Sequence, residues 1–164
     1  MSPPDAEQAL RRLLPRVRNL VRYLVRGDSD VDDIAQQALI AVARGLPTWR
    51  GDAPLERWAD RVVARATFAE LARRRTERGR RADVEVLEHA VSPEAAPDDR
   101  AIRRQAVAAL DTLPEEQRAV IVLHHVVGLS LPEVAAELGV PVETARSRMR
   151  LGLGKLRTRV GGEP

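Results

Sequence analysis

A chain of 164 residues has room for one domain or two small ones, and without cysteine it has neither a disulfide framework nor a thiolate metal site. Apolar residues make up 44% of it, but Tyr23, Trp49, Trp58 and Phe68 are its only Tyr, Trp or Phe, so any core is aliphatic and the composition favours helix. The net charge is +3, no apolar run approaches a membrane span and the N-terminus lacks a signal-peptide layout, so a cytoplasmic protein without membrane insertion is expected.

The first predicted helix carries Leu10, Leu13, Leu14, Val17, Val21, Leu24 and Val25 on one stripe. Pro15 predicts a kink, or a helix that begins near it, and Gly27 ends the pattern. Asp28, Ser29 and Asp30 are candidate caps for a second helix, with Ile34, Ala38 and Val42 inward and a stop around Gly45. Pro47 to Pro54 reads as a loop, since two prolines and a glycine punctuate it. A third, longer helix follows, with Leu55, Trp58, Ala59, Val62, Ala66 and Ala69 predicted inward. It runs into Arg73-Arg74-Arg75 and frays near Gly79. Arg57 to Arg81 holds nine arginines against three acids.

Ala82 to Asp99 reverses that balance, with six acids and no Lys or Arg. Within it, Ala82 to Pro97 lacks sustained periodicity and reads as a flexible linker, with short helical pieces around Val84 to His89 and the domain boundary inside it. Four shorter helices follow. The first is marked by Ile102, Ala106, Ala109 and Leu110, and the second starts at Pro114 and contains Ala119, Val120, Leu123 and Val127. Gly139 to Val160 holds six basic residues and one acid. Two basic blocks around an acidic one suggest two surfaces for a polyanion; solvated helix faces are the plainer alternative.

The last two helices lie in SLPEVAAELGVPVETARSRMRLGLGKL, Ser130 to Leu156. Ser130 and Glu133 have capping-box spacing, Val134, Ala135 and Leu138 face inward, and Gly139 takes a three-residue turn. The final helix buries Val142, Ala145, Met149, Leu153, Leu156 and Val160. That arrangement is a helix-turn-helix. On a helical wheel Ser147 is central to the outer face, with Thr144, Leu151 and Glu143 beside it. Arg146 and Arg150 flank one edge, Arg148 and Lys155 the other. Short polar groups between long basic arms suit a helix in the major groove.

Other residues have two readings. Trp49, in a loop beside Arg50, is either a stacking platform for an unpaired base or a plug on the three-helix core. Trp58 falls on the inner stripe and reads as core. Arg73 to Arg75 is a solvated helix end or a polyanion contact. His124 and His125 do not share a helix face and have no evident third ligand, so no metal is expected. Asp32 and Asp33 lack a partner base or nucleophile, which leaves helix-start chemistry and no catalytic site.

Two blocks resemble one family. DVDDIAQQALIAVARGLPTWRGDAPLERWADRVV, Asp30 to Val63, is similar to region two of bacterial sigma factors of the extracytoplasmic-function class, in its acidic-start helix, its P-x-[FW]-R-G loop and the Trp that follows. LDTLPEEQRAVIVLHHVVGLSLPEVAAELGVPVETARSRM, Leu110 to Met149, resembles region four, in its L-P-x-x-x-R, G-L-S and T-x-R-S-R runs.

The resemblance implies an all-α protein of two small helical domains. A three-helix domain (1–81) would bind core polymerase and the minus-10 element. A four-helix helix-turn-helix domain (98–164) would bind the minus-35 element, and an acidic linker (82–97) would join them. It further implies that Asp33, Gln36, Gln37 and Arg44 dock on the coiled coil of the largest polymerase subunit. Trp49, Arg50, Gly51 and Asp52 would capture a flipped minus-10 base, and Arg61 and Arg65 would line the path of the separated strand. His124, Thr144, Arg146, Ser147, Arg148 and Arg150 would meet the minus-35 element. Its partners would be core RNA polymerase, including the flap, and promoter DNA, with an inhibitory anti-sigma factor as the family's common further partner. No cofactor and no enzymatic activity are implied.

Gln37 stands where the family usually has an acid, and Arg65 where it usually has Asn. Leu151 to Gly154 replaces a basic, alanine-rich run, so the end of the last helix is expected to fray. A stand-alone helix-turn-helix regulator, or an enzyme with an appended DNA-binding domain, are the competing readings. The first would leave the N-terminal block unexplained, and the second needs a pocket of titratable groups.

Overall fold

A computed structural model describes residues 5–80 and 97–161, with the backbone alone for Arg80, Pro97, Asp98 and Val160. Among the described residues there are seven α-helices, one 3-10 turn and no strand. They form two compact units, so the expected all-α, two-part architecture is the observed one. The stretch read as linker, apart from Pro97, lies outside the described residues, as do the helical pieces expected around Val84 to His89.

The first unit comprises α1 (Ala6–Leu24), α2 (Val31–Gly45) and α3 (Leu55–Arg80), each packed on the other two. Ala9, Leu13, Val17, Leu20, Val21 and Leu24 line the buried side of α1. The helix starts at Ala6 rather than near Pro15, with the Asp5 carboxylate accepting from the Glu7 N–H at 3.3 Å. Pro15 lies within α1 on its exposed side, where water can satisfy the Arg11 carbonyl that the proline leaves without a helical donor. Leu14 is exposed and Leu20 takes the place expected for it.

Asp30 holds the N-cap position of α2 but makes no side-chain capping bond. Its carboxylate is engaged by Arg74 at 2.8 Å and Arg78 at 3.1 Å, both from α3. Arg22 and Arg18 of α1 bind Asp28 at 2.6 Å and Asp32 at 2.8 Å. The acidic start of α2 is thus a junction between helices as well as a favourable charge near a helix N-terminus.

The inward face of α3 differs from the expected one. Leu55, Ala59, Asp60, Val63, Ala64 and Thr67 are buried; Trp58, Val62 and Ala66 are half-buried, and Ala69 is exposed. Two polar residues sit on the true face. Asp60, only 4% exposed, accepts two bonds of 2.7 Å from Arg16, and the Thr67 hydroxyl donates to the Val63 carbonyl at 2.8 Å. With their polar atoms satisfied internally they pack as core residues do, so an apolar stripe drawn from sequence is rotated away from them. One turn earlier, Arg12 pairs with Glu56 and extends the α1–α3 junction.

The second unit comprises α4 (Pro97–Leu110), α5 (Glu115–His125), α6 (Leu131–Leu138) and α7 (Val142–Val160). Leu113, Val120, Val122, Leu123, Val134 and Ala145 form its centre. Ile102, predicted inward on α4, is 67% exposed and Ala106 is exposed as well; among the described side chains of the helix only Leu110, at its end, is buried. Arg118 locks that end in place. It is 1% exposed, and its Nε and Nη2 donate to the Leu110 carbonyl at 3.1 and 2.7 Å while Nη2 also reaches Asp111 Oδ1 at 2.9 Å.

Candidate nucleic-acid interface

The loop between α2 and α3 is shaped by its own residues. A 3-10 turn, Leu46–Thr48, ends α2, and the Trp49 N–H donates to the Leu46 carbonyl at 3.1 Å. The Trp49 indole N–H donates to the Ala53 carbonyl at 3.0 Å, which bridges the loop from one side to the other. Gly51 adopts φ +79°, a conformation that costs a glycine little. Trp49 is half-buried, and Arg50, Gly51 and Asp52 stand exposed at the tip. Trp58 lies nearby across Gly45, so close that a Cβ there would be 3.0 Å from its ring. Trp58 packs its ring on Gly45 but is half-buried, at the edge of the core and not within it.

Arg61 and Arg65 are exposed one turn apart on α3, and Arg57 continues the same ridge toward the loop. The i, i+4 spacing of the three was visible in the sequence, yet Arg57 was not among the expected contacts. Arg73 and Arg74 are engaged within the unit. Arg73 binds Glu70 at 2.5 Å and Glu77 at 2.6 Å, and Arg74 binds Glu70 and Asp30, each at 2.8 Å. These contacts, Arg73 first and then Arg74, hold the Glu70 carboxyl well below its ordinary value, at about 2. On α2, Asp33, Gln37 and Arg44 share an exposed face with Gln36 at its edge, and the exposed Ile40 stands among them. Ile40 adds an exposed apolar side chain to a face whose implied contacts are all polar.

In the second unit the helix-turn-helix is built from local chemistry. Ser130 Oγ accepts from the Glu133 N–H at 3.3 Å, and the Glu133 carboxylate accepts from the Ser130 N–H at 2.8 Å, a complete capping box. Gly139 takes φ +64° at the end of α6. The Gly139 and Val140 amides then bond to the Ala136 and Ala135 carbonyls, at 3.3 and 3.0 Å, closing a Schellman turn. Ala135 is buried where α6 meets α7.

The inward side of α7 holds Ala145 and Met149, both buried, with Val142, Leu153 and Leu156 half-buried. Gly152 is buried too, and a Cβ on it would lie 2.6 Å from Ile121 Cδ1. The expected fraying is therefore not what Gly152 does, since it is where α7 presses against α5 and the helix runs on to Val160. Outward, Thr144 and Ser147 are half-buried, and Arg146, Arg150 and Leu151 are exposed. Arg146 pairs with Glu143 one turn earlier, while Arg148 is half-buried and lies 3.8 Å from Glu116 of α5. His124 Nδ1 donates to the Leu129 carbonyl at 2.7 Å, which pins the turn before α6 and leaves Nε2 for any further contact.

Known domains match both units. Residues 9–78 match Sigma-70 region 2, and residues 103–156 match Sigma-70, region 4. The chain is 32% identical over 155 residues to the ECF RNA polymerase sigma factor SigM of Mycobacterium tuberculosis, covering 94% of this chain and 76% of that one. This chain belongs to the ECF RNA polymerase sigma factor family.

It is also 31% identical over 158 residues to the ECF RNA polymerase sigma factor SigE of Mycolicibacterium smegmatis, covering 94% of this chain but 61% of the relative's length. The fold is similar to that of the sigma factor RpoE of Bartonella quintana, solved with the anti-sigma factor NepR. There the TM-score is 0.66 at 21% identity, covering 98% of this chain and 99% of that chain. For this ECF family member, then, the two exposed surfaces belong to separate sigma regions. The Trp49 loop and the Arg57–Arg61–Arg65 ridge lie in region 2, and the outer face of α7 lies in region 4.

Proposed function

We propose that this protein is a transcription-initiation factor that binds core RNA polymerase and directs it to promoters. In this reading the outer face of α7 enters the major groove of the minus-35 element, with Thr144, Arg146, Ser147, Arg148 and Arg150 at the contact and His124 at a neighbouring phosphate. Arg148 would have to leave Glu116, an exchange of one weak charge contact for a phosphate. The loop formed by Trp49, Arg50, Gly51 and Asp52 receives a flipped minus-10 base, and Arg61 and Arg65 guide the separated strand. Asp33, Gln36, Gln37 and Arg44 dock on the coiled coil of the largest polymerase subunit, and the four-helix unit meets the flap. An anti-sigma factor of the kind bound to RpoE is a fitting inhibitor. The chemistry of RNA synthesis stays with the polymerase.

The observation that carries this reading is the capped, glycine-turned α6–α7 pair, which presents exposed Arg146 and Arg150 around Ser147. A recognition helix needs phosphate-reaching arms beside short groups that reach base edges. Two variants test it in promoter binding and open-complex assays with core polymerase. Arg146→Ala is expected to weaken upstream-element recognition about tenfold or more while core binding is unchanged. Trp49→Ala is expected to impair melting and leave core binding intact. Equal loss of polymerase and promoter binding in Arg146→Ala would count against the assignment.

A further inference from the structure

Leu151 is 51% exposed on the outer side of α7, one turn beyond Ser147 and two beyond Thr144. A lone exposed leucine is ordinary on a protein surface; its neighbours set this one apart. The helix buries Ala145, Met149 and Gly152 on the other side, and Arg150 stands exposed beside Leu151. The leucine thus occupies the face that the proposed function turns toward the major groove.

A leucine there gains nothing from a phosphate. Against a polar base edge it would strip water and return no hydrogen bond. The major-groove edges of the four base pairs offer one apolar group, the 5-methyl of thymine. We propose that Leu151 is a specificity-determining residue that reads one thymine of the upstream element through its 5-methyl group. This inference rests on α7 being the recognition helix. It assigns that helix a mixed readout, in which Arg146 and Ser147 supply polar contacts and Leu151 an apolar one.

The test uses the full chain bound to core polymerase and a pool of promoter duplexes with a randomised upstream element. Each thymine of the selected element is then replaced singly by deoxyuridine, which removes only the methyl group. The wild type is expected to lose about fourfold in binding at one such position, the value of one buried methyl group. Leu151→Ala should bind thymine and uracil equally there, and Leu151→Arg should shift the preference at that base pair toward guanine. Leu151 is exposed, so both variants are expected to keep the helical circular dichroism of the wild type. Indifference of the wild type to every deoxyuridine would overturn the inference, as would a fourfold loss that persists in Leu151→Ala. Failure to select any upstream element would bring down the reading of α7 itself, a different result.

Discussion

Arg118 places a guanidinium where 1% of its surface meets solvent, tied to the Leu110 carbonyl and to Asp111. Asp111 is 29% exposed and can regain water, so what a loss of Arg118 removes is its charge-assisted hydrogen bonds to the buried Leu110 carbonyl and to that carboxylate. Arg118→Met is therefore expected to destabilise the second unit by about 2 kcal/mol, read by denaturant unfolding. A loss below about 1 kcal/mol would place that arginine in the range of an exposed pair. Glu70 makes a prediction about pH. Its carboxyl, held at about 2 by Arg73 and then Arg74, stands below its ordinary 4.5. A depressed carboxylate stabilises the fold above its unfolded value and loses that contribution as pH falls through the folded one. The advantage of the wild type over Glu70→Gln in melting temperature should be complete above about pH 4.5, shrink below it and vanish near pH 2. A constant advantage across that window would show that the charge of Glu70 contributes nothing.

At the scale of elements, two glycines on one helix behave oppositely. Gly152 is buried against Ile121 and Gln117, whereas no neighbouring atom lies within 4 Å of a Cβ on Gly154. Gly152→Leu should force α7 off α5 and cost about 1–3 kcal/mol. Gly154→Ala should stabilise α7 by up to about 1 kcal/mol, the difference in helix propensity. Thermal unfolding of the two variants checks both signs. The sequence presents these glycines as equivalent, because close approach between helices depends on tertiary contacts and leaves no local mark. Caps are different: Ser130, Glu133 and Gly139 act on backbone groups within a few residues, so the turn between α6 and α7 was legible. The inward faces of α3 and α4 were not. Asp60 and Thr67 are polar core residues made tolerable by Arg16 and the Val63 carbonyl, and Ile102 is an apolar residue left outside.

At the scale of the whole molecule, the order of the two motif blocks, Asp30 to Val63 and Leu110 to Met149, carried the functional reading, and it survives in the two sigma-region matches. The site itself was legible in part. Residue type and spacing drew attention to Trp49, Arg146 and Ser147. They gave no sign that Trp49 would bond across its own loop to Ala53, or that Arg148 would lie against Glu116. In the proposed reading each surface alone makes few phosphate contacts. Affinity for DNA by itself should be weak and should fall with salt in proportion to the few phosphates each surface neutralises. Held together on polymerase, the second contact becomes intramolecular and gains an effective concentration in its favour.

The most direct measurement is therefore reconstitution. The purified chain is mixed with core RNA polymerase, resolved by size exclusion and assayed for transcription from promoters selected by the complex. A stoichiometric complex that starts RNA synthesis at a defined distance from the selected upstream element is the expected result. A chain that elutes apart from polymerase and instead binds an inverted-repeat duplex as a dimer would contradict the account.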